Sequence, residues 1–255
     1  ANPSEIIRMI KTYQVTHMFG SPALLRRVGL YGKKEGVELP SLKRVLSAGA
    51  PVPTTVLRHI GEMLVADADV HTPYGATEAL PVCSISSQEV LREEKGRSQG
   101  KGVCVGRPIV GVHLAIIRIT DEPILRWSDD LQVSEGEIGE LVVWGPNVSC
   151  EYWDNKKANQ QAKIQNINQE IRHRMGDVGY LDSVGRVWFC GRKSHRVITS
   201  SGTLFTVSCE GIYNQHPAVY RSALVGVGQF PNQLPVLCVE LENKKKWKGS
   251  DGLKK

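Results

Sequence analysis

Behind Ser4, a residue placed to cap a helix, Ile6, Ile7, Met9 and Ile10 fall at helical spacing, and Val15-Thr16-His17-Met18-Phe19 then predicts a short buried strand. The alternation repeats with a helix around Ala23 to Tyr31, a strand Arg44-Val45-Leu46, a helix Val52 to Leu64 and a strand near Val70. Strands alternating with helices predict an α/β fold with a parallel layer over residues 1–101. From about Gly102 the texture changes to short β-rich runs broken by Gly, Pro and Asp, among them Val112 to Ile119 and Gly139 to Trp144. These predict a barrel-like or sandwich subdomain over residues 102–191. A polar break at Arg192-Lys193-Ser194-His195-Arg196 marks a hinge. Beyond it, strand Val197-Ile198, helix-compatible Cys209 to Asn214 and strand Leu234 to Leu241 predict the start of a small α+β domain over 192–255. Trp144, Trp153 and Trp188 lie in apolar strand-like runs and are read as packing residues.

The 255 residues are enough for a real core, and 41% hydrophobic with 23% charged residues is the balance of a soluble globular protein. No apolar run reaches the roughly 18–20 residues of a membrane-spanning helix, and Ala1-Asn2-Pro3-Ser4-Glu5 has no signal-peptide character, so a cytoplasmic location is expected. The six cysteines are scattered, with no CxxC pair, and read as free thiols. A net charge of +6 would suggest nucleic acid if it were spread over one face, but six lysines fall between Lys244 and Lys255. That tail reads as a solvated like-charge run, and no nucleic-acid partner is expected.

Stock catalytic patterns are absent: there is no GxSxG elbow, no HExxH and no GxGxxG after a strand. Gly96 to Gly102 resembles a phosphate loop but is one residue short and carries Gly102 where Ser or Thr should hold magnesium, so it reads as an ordinary loop. Asn147-Val148-Ser149 is a glycosylation sequon, which a cytosolic protein would not present for modification. His17, His71, His173 and His195 lack partners at triad or ligand spacing and are read as core or surface residues.

Three segments carry chemistry together. Ser47-Ala48-Gly49-Ala50-Pro51 follows a strand, His71 to Glu78 follows another, and Arg174-Met175-Gly176-Asp177 leads to Gly191-Arg192. Ligands of open α/β sheets bind beyond the carboxyl ends of strands, where the first two segments lie. Gly49 and Ala50 would let backbone approach a flat base, the Tyr74 ring offers a stacking face, and Gly75 leaves room beside it. Thr77 can donate to a phosphate oxygen, and Glu78 supplies a hard carboxylate for Mg²⁺. Asp177 suits the two hydroxyls of a ribose, and Arg192 can donate to the same sugar or to phosphate. Taken singly, Tyr-Gly-x-Thr-Glu is a strand-to-turn sequence, Met-Gly-Asp a turn and Gly-Arg commonplace; their order is what makes them informative.

At these residues the chain resembles the adenylate-forming (AMP-binding) ligase superfamily. Ser47 to Pro51 resembles its adenine-side loop, Tyr74 to Glu78 its Tyr-Gly-x-Thr-Glu motif, and Gly139 to Tyr152 its Gly-Glu-Leu-x-x-x-Gly-Pro strand and turn. Asp177 falls on its ribose-binding Asp and Arg192 on its pre-hinge motif. The resemblance implies part of the large α/β domain with its distorted β-barrel, followed by the start of the small domain. Its implied contacts are Gly49, Ala50, Pro51, Tyr74, Gly75, Thr77, Asp177 and Arg192 with ATP or AMP, Glu78 with Mg²⁺, and Thr77 and Glu78 in catalysis. His173 to Asp177, Trp188 to Val197 and Trp127 to Asp130 look, more narrowly, like the β-lactone synthetases of olefin biosynthesis.

The activity so implied is attack of a substrate carboxylate on the ATP α-phosphorus, giving an acyl-adenylate and pyrophosphate. In the narrower branch a long-chain β-hydroxy acid then closes to a β-lactone; in acyl-CoA synthetases or peptide-synthetase-type domains, CoA or a carrier-protein thiol is the acceptor. Met175 and Ser194 replace the Thr and Asp usual in the family, which removes its ordinary hinge electrostatics and leaves Ser194 without an assigned role. Only 48 residues precede Gly49, too few for the family's phosphate loop, and its C-terminal catalytic Lys has no counterpart. A piece of a longer ligase is therefore expected, inactive alone. The rival from another class is a noncatalytic nucleotide-binding or interaction domain.

Overall fold

Asn2, rather than Ser4, caps the first helix: its Oδ1 accepts the Ser4 N–H at 3.2 Å, and Pro3 takes the first helical position, where a missing donor is harmless. The structure is a computed structural model describing residues 2–93, 99–166 and 170–242. Its first half runs α1 (Pro3–Thr12), β1 (His17–Phe19), α2 (Pro22–Glu35), β2 (Arg44–Leu46), α3 (Thr54–Gly61), β3 (Asp69–Ala76), β4 (Ala79–Ser86) and α4 (Ser87–Arg92). Then follow β5 (Val103–Pro108), β6 (His113–Ile117), β7 (Gly139–Trp144), α5 (Lys156–Ala162), β8 (Lys163–Gln165), β9 (Ile171–Leu181) and β10 (Val187–Arg192). Last come β11 (Val197–Thr199), β12 (Gly202–Leu204), α6 (Thr206–Tyr213), β13 (Val219–Val227) and β14 (Leu234–Leu241). The Gly96–Gly102 loop lies partly, and the lysine tail from Lys244 wholly, outside the described residues.

A ten-stranded sheet runs β1-β2-β3-β4-β5-β10-β9-β7-β6, with β8 beside β9. The strands β1, β2 and β3 pair in parallel, as the helix–strand alternation predicts, and every later pairing of the sheet is antiparallel. The first half buries Ile7 and Ile10 of α1, Leu25 and Val28 of α2 and Leu57 and Ile60 of α3 with Val45 and Val70 of the sheet. The antiparallel half has its own core of Val82, Val103, Leu141, Val143, Met175 and Val187, against which Tyr74 and Phe189 pack.

Several boundaries move for local reasons. The strand read as buried at Val15–Phe19 is the three-residue outer strand β1, with Phe19 65% exposed, because it pairs on one side only. The α3 helix starts at Thr54 and not Val52, since a residue before proline is kept out of the α region and Pro53 is itself extended. The α2 helix runs on to Glu35, where Gly36 in the left-handed conformation (φ 59°) ends it. Trp153, read as packing, is 92% exposed in the loop before α5, where Asp154 turns the chain with φ 48°. Trp188 is buried as expected, and Trp144 stacks on His113 and carries the Arg172 guanidinium 4.1 Å above its ring. All six cysteines are free. Among the described residues no helix is long and apolar enough to cross a membrane.

Candidate active site

Asp177 is aimed by an irregularity in β9. Two residues along β7, Glu140 to Val142, face four along β9, Val178 back to Arg174, so β9 carries two extra residues there. Gly176 sits in this bulge with φ 66°. Met-Gly-Asp is thus a bulge inside a strand, not a turn, and a bulge redirects side chains. On the other edge Asp177 stands in register with Arg192 of β10. The Arg192 Nη1 lies 2.9 Å from Asp177 Oδ1, and the Tyr74 hydroxyl donates to Oδ2 at 2.6 Å. Tyr74 comes from β3, so three strands converge on one carboxylate.

The electrostatics follow from burial. Asp177 is 3% exposed, and burial holds its carboxyl above the usual range although Tyr74 and Arg192 pull the other way. Tyr74 is driven well above the ordinary phenol value by burial, with Asp177 adding to the effect. The partner of Asp177 Oδ1 is the Arg192 guanidinium.

Asp177 lines a cavity of about 280 Å³, near the lower limit of ligand pockets at roughly 300–1,000 Å³. Gly49, Ala50, Pro51, Tyr74, Gly75, Asp177 and Arg192 all line it. Gly49 has φ 96° and open space where a Cβ would stand, as close backbone approach to a ligand requires. Gly75 answers a different need: a Cβ there would stand 2.4 Å from the Ala79 carbonyl, so the glycine closes the β3–β4 hairpin and does not make room for a base. Gly75→Ala is expected to cost about 1–3 kcal/mol by forcing that turn apart, read from the urea midpoint. Two further lining residues, Ser47 and Phe189, lie inside quoted motifs but have no site role assigned from sequence. Ser47 has a fully buried Oγ without a partner, and Phe189 packs against Tyr74 at 5.8 Å between ring centroids.

Glu78 lies elsewhere, lining a second cavity of about 320 Å³ with Tyr152, His173, Arg174 and Lys193. Arg192 borders both cavities and joins them. Thr77 is exposed in the turn between β3 and β4 and lines neither. The Tyr152 hydroxyl donates to Glu78 Oε1 at 2.8 Å, and this bond holds the Glu78 carboxyl below its ordinary value. Burial and Glu78 push Tyr152 up to about 12. Burial, with Lys163 next, brings His173 down to about 4, so its ring is neutral at pH 7. Cys104 lines the first cavity, but burial raises its thiol, and that of Cys83 to about 12, which leaves neither a ready nucleophile.

The residues present fit an adenosine phosphate. Asp177 and Ser47 put oxygen-bearing side chains in the cavity wall, Gly49 leaves a surface open, and Arg192 is a cation bordering both cavities. Among the described residues no three His, Cys, Asp or Glu side chains are grouped to hold a metal ion by themselves. Mg²⁺ is commonly held by one or two carboxylates together with substrate phosphates, a set that Glu78 can join.

Residues 1–153 match the AMP-binding enzyme family. The chain belongs to that family. Olefin beta-lactone synthetase of Xanthomonas campestris pv. campestris is 44% identical over 246 residues, which are 95% of this chain and 44% of that protein. The chain therefore spans less than half the length of this relative. Among solved structures, amide bond synthetase McbA from Marinactinospora thermotolerans superposes with a TM-score of 0.77 at 23% identity, covering 96% of this chain and 45% of that one. O-succinylbenzoate Coenzyme A synthetase (MenE) from Bacillus subtilis, in complex with ATP and magnesium ion, gives 0.73 at 22% identity, covering 95% and 45%. Both share the fold of this chain.

Proposed function

We propose that this AMP-binding chain forms the base- and ribose-holding part of an ATP-dependent, AMP-forming acyl ligase whose acid is a long-chain β-hydroxy acid. The observation that carries the reading is the Tyr74–Asp177–Arg192 constellation in the wall of a cavity that Gly49, Ala50 and Pro51 also line. The name of the 44% identical relative supports the choice of acid. When bound, Mg²⁺·ATP supplies the activating group, pyrophosphate leaving as the acid's carboxylate engages the α-phosphorus.

Each residue then has a task it can perform. Asp177 accepts from the ribose hydroxyls, while Tyr74 on Oδ2 and Arg192 on Oδ1 fix the carboxylate plane. Arg192, between the two cavities, reaches toward sugar or phosphate oxygens. Glu78 offers a carboxylate to Mg²⁺, and Thr77 in its exposed turn donates a hydroxyl to phosphate. A β-hydroxyl on the acid makes CoA or a carrier thiol unnecessary, because the acid's own oxygen displaces AMP and closes the four-membered ring.

Calorimetric titration of this chain with AMP and with Mg²⁺·ATP tests the assignment. Both are expected to bind, with Mg²⁺·ATP favoured by no more than about tenfold, since most of the groups assigned here grip the nucleoside and only Glu78 adds a contact through Mg²⁺. Absence of heat with either ligand would remove the nucleotide assignment altogether.

A further inference from the structure

We propose that Tyr152 is a positioning residue for Glu78, and that the segment Asn147–Tyr152 is a strap that fixes this glutamate at both backbone and side chain. The inference rests on the reading of Glu78 as the carboxylate offered to Mg²⁺·ATP. It concerns residues outside that reading, including a sequon with no other use.

The strap grips the β3–β4 turn at successive points. The Asn147 amide donates through Nδ2 to the Pro81 carbonyl at 2.7 Å, and Val148 bridges to Ala79. The Ser149 N–H donates to the Glu78 carbonyl at 2.8 Å, which pins the backbone of the glutamate itself. Three residues on, the Tyr152 hydroxyl reaches Glu78 Oε1. One short segment thus holds Glu78 through both its main chain and its carboxylate.

Tyr152 is in turn held from several sides. Its N–H donates to Asn159 Oδ1 at 2.7 Å and its carbonyl accepts from Asn159 Nδ2 at 3.0 Å, a reciprocal pair that locks its backbone to α5. The Lys163 ammonium lies 5.3 Å from the ring centroid and is itself anchored on the Ser149 carbonyl and hydroxyl. His173 meets the ring edge-on at 6.3 Å. A phenol fixed in this way can donate in one direction, and Glu78 lies there. Free glutamate side chains sample several rotamers, and binding one through a hydrogen bond beforehand removes that ordering cost when a ligand arrives.

The test is a double-mutant cycle on the chain with Tyr152→Phe, Glu78→Gln and the pair, read as affinity for Mg²⁺·ATP and for AMP in EDTA. Phenylalanine keeps the ring packing and removes only the donor. Y152F is expected to weaken Mg²⁺·ATP binding about three- to tenfold with AMP affinity in EDTA unchanged, and the double variant to match E78Q alone. Additive losses in the pair, or an equal loss for AMP in EDTA, would assign Tyr152 a merely structural role and overturn the proposal. A folding defect caused by Y152F would recur in the double variant and appear as such an additive loss. Wild-type binding that E78Q weakens and Y152F leaves untouched sinks this inference alone. A wild-type chain that binds neither nucleotide sinks the functional reading with it.

Discussion

Arg174→Met is expected to be the most destabilising single change in the described chain, at about 3 kcal/mol and with a large drop in the urea midpoint. Arg174 and Glu140 are both 1% exposed at their side chains, and two guanidinium nitrogens reach Glu140 Oε2 at 2.6 and 3.2 Å. The same guanidinium also donates to the carbonyls of Thr120, Glu122 and Gln161 at 2.6, 2.9 and 3.1 Å. Methionine fills similar space but leaves a buried carboxylate short of its main partner and three carbonyls without this donor. Lys193, whose Nζ lies 3.1 Å from Glu140 Oε2, keeps the carboxylate from being wholly uncompensated. For that reason the loss belongs at the lower end of the roughly 3–5 kcal/mol that breaking a buried ion pair costs. The pair E140L/R174M should lose less than the sum of the two single changes, because neither charge is then stranded. An Arg174→Met protein within about 1 kcal/mol of wild type would mean that water reaches the cluster.

This cluster also bears on the site. Arg174 stands three residues before Asp177 on β9, and Lys193 follows Arg192 directly, so the buried charges tie down the two strands that carry the Asp177–Arg192 pair. Arg196, paired with Asp121, anchors the same polar segment one turn further on. Sequence reading marks residues 192–196 as a polar break. In the structure three of those five residues pair with acidic side chains.

What could be read from sequence depended on how local the cause was. The parallel layer was legible because each strand and helix there announces itself by its own periodicity, as with Arg44–Leu46 and the strand near Val70. The long strand β9 was not, since its bulge at Gly176 interrupts the alternation and makes Met-Gly-Asp look like a turn. Motif order brought Gly49, Ala50, Pro51, Tyr74, Gly75, Asp177 and Arg192 to one cavity, which required only that strand ends converge. The separate cavity of Glu78, and its capture by Tyr152 across 74 positions, depend on pairing between distant segments. No spacing rule encodes such a contact, although the segment that makes it, up to Tyr152, is marked by the Gly139–Tyr152 motif and a sequon.

Asp177→Asn is expected to divide stability from binding. Burial raises the folded carboxyl above its unfolded value, so below the unfolded value the group is protonated in both states and costs nothing. As pH rises through the interval up to the folded value, the unfolded chain releases its proton first, and stability is lost progressively. At pH 7 the ionised carboxylate is therefore a net burden on the fold, lightened but not cancelled by Tyr74 and Arg192. Asparagine has the same shape without the charge, and Tyr74 can reverse its hydrogen bond to meet an amide. The variant should melt at a higher temperature than wild type at pH 7, the difference narrowing as pH falls below the usual carboxylate range. Its affinity for AMP should fall about ten- to a hundredfold, the scale of one or two hydrogen bonds to a charged acceptor. A variant that melts lower at pH 7 would show that the Arg192 contact outweighs burial. Unchanged AMP affinity would take Asp177 out of the nucleotide site. Higher stability with lost affinity is the signature of a charge kept buried for its ligand, at the expense of the fold.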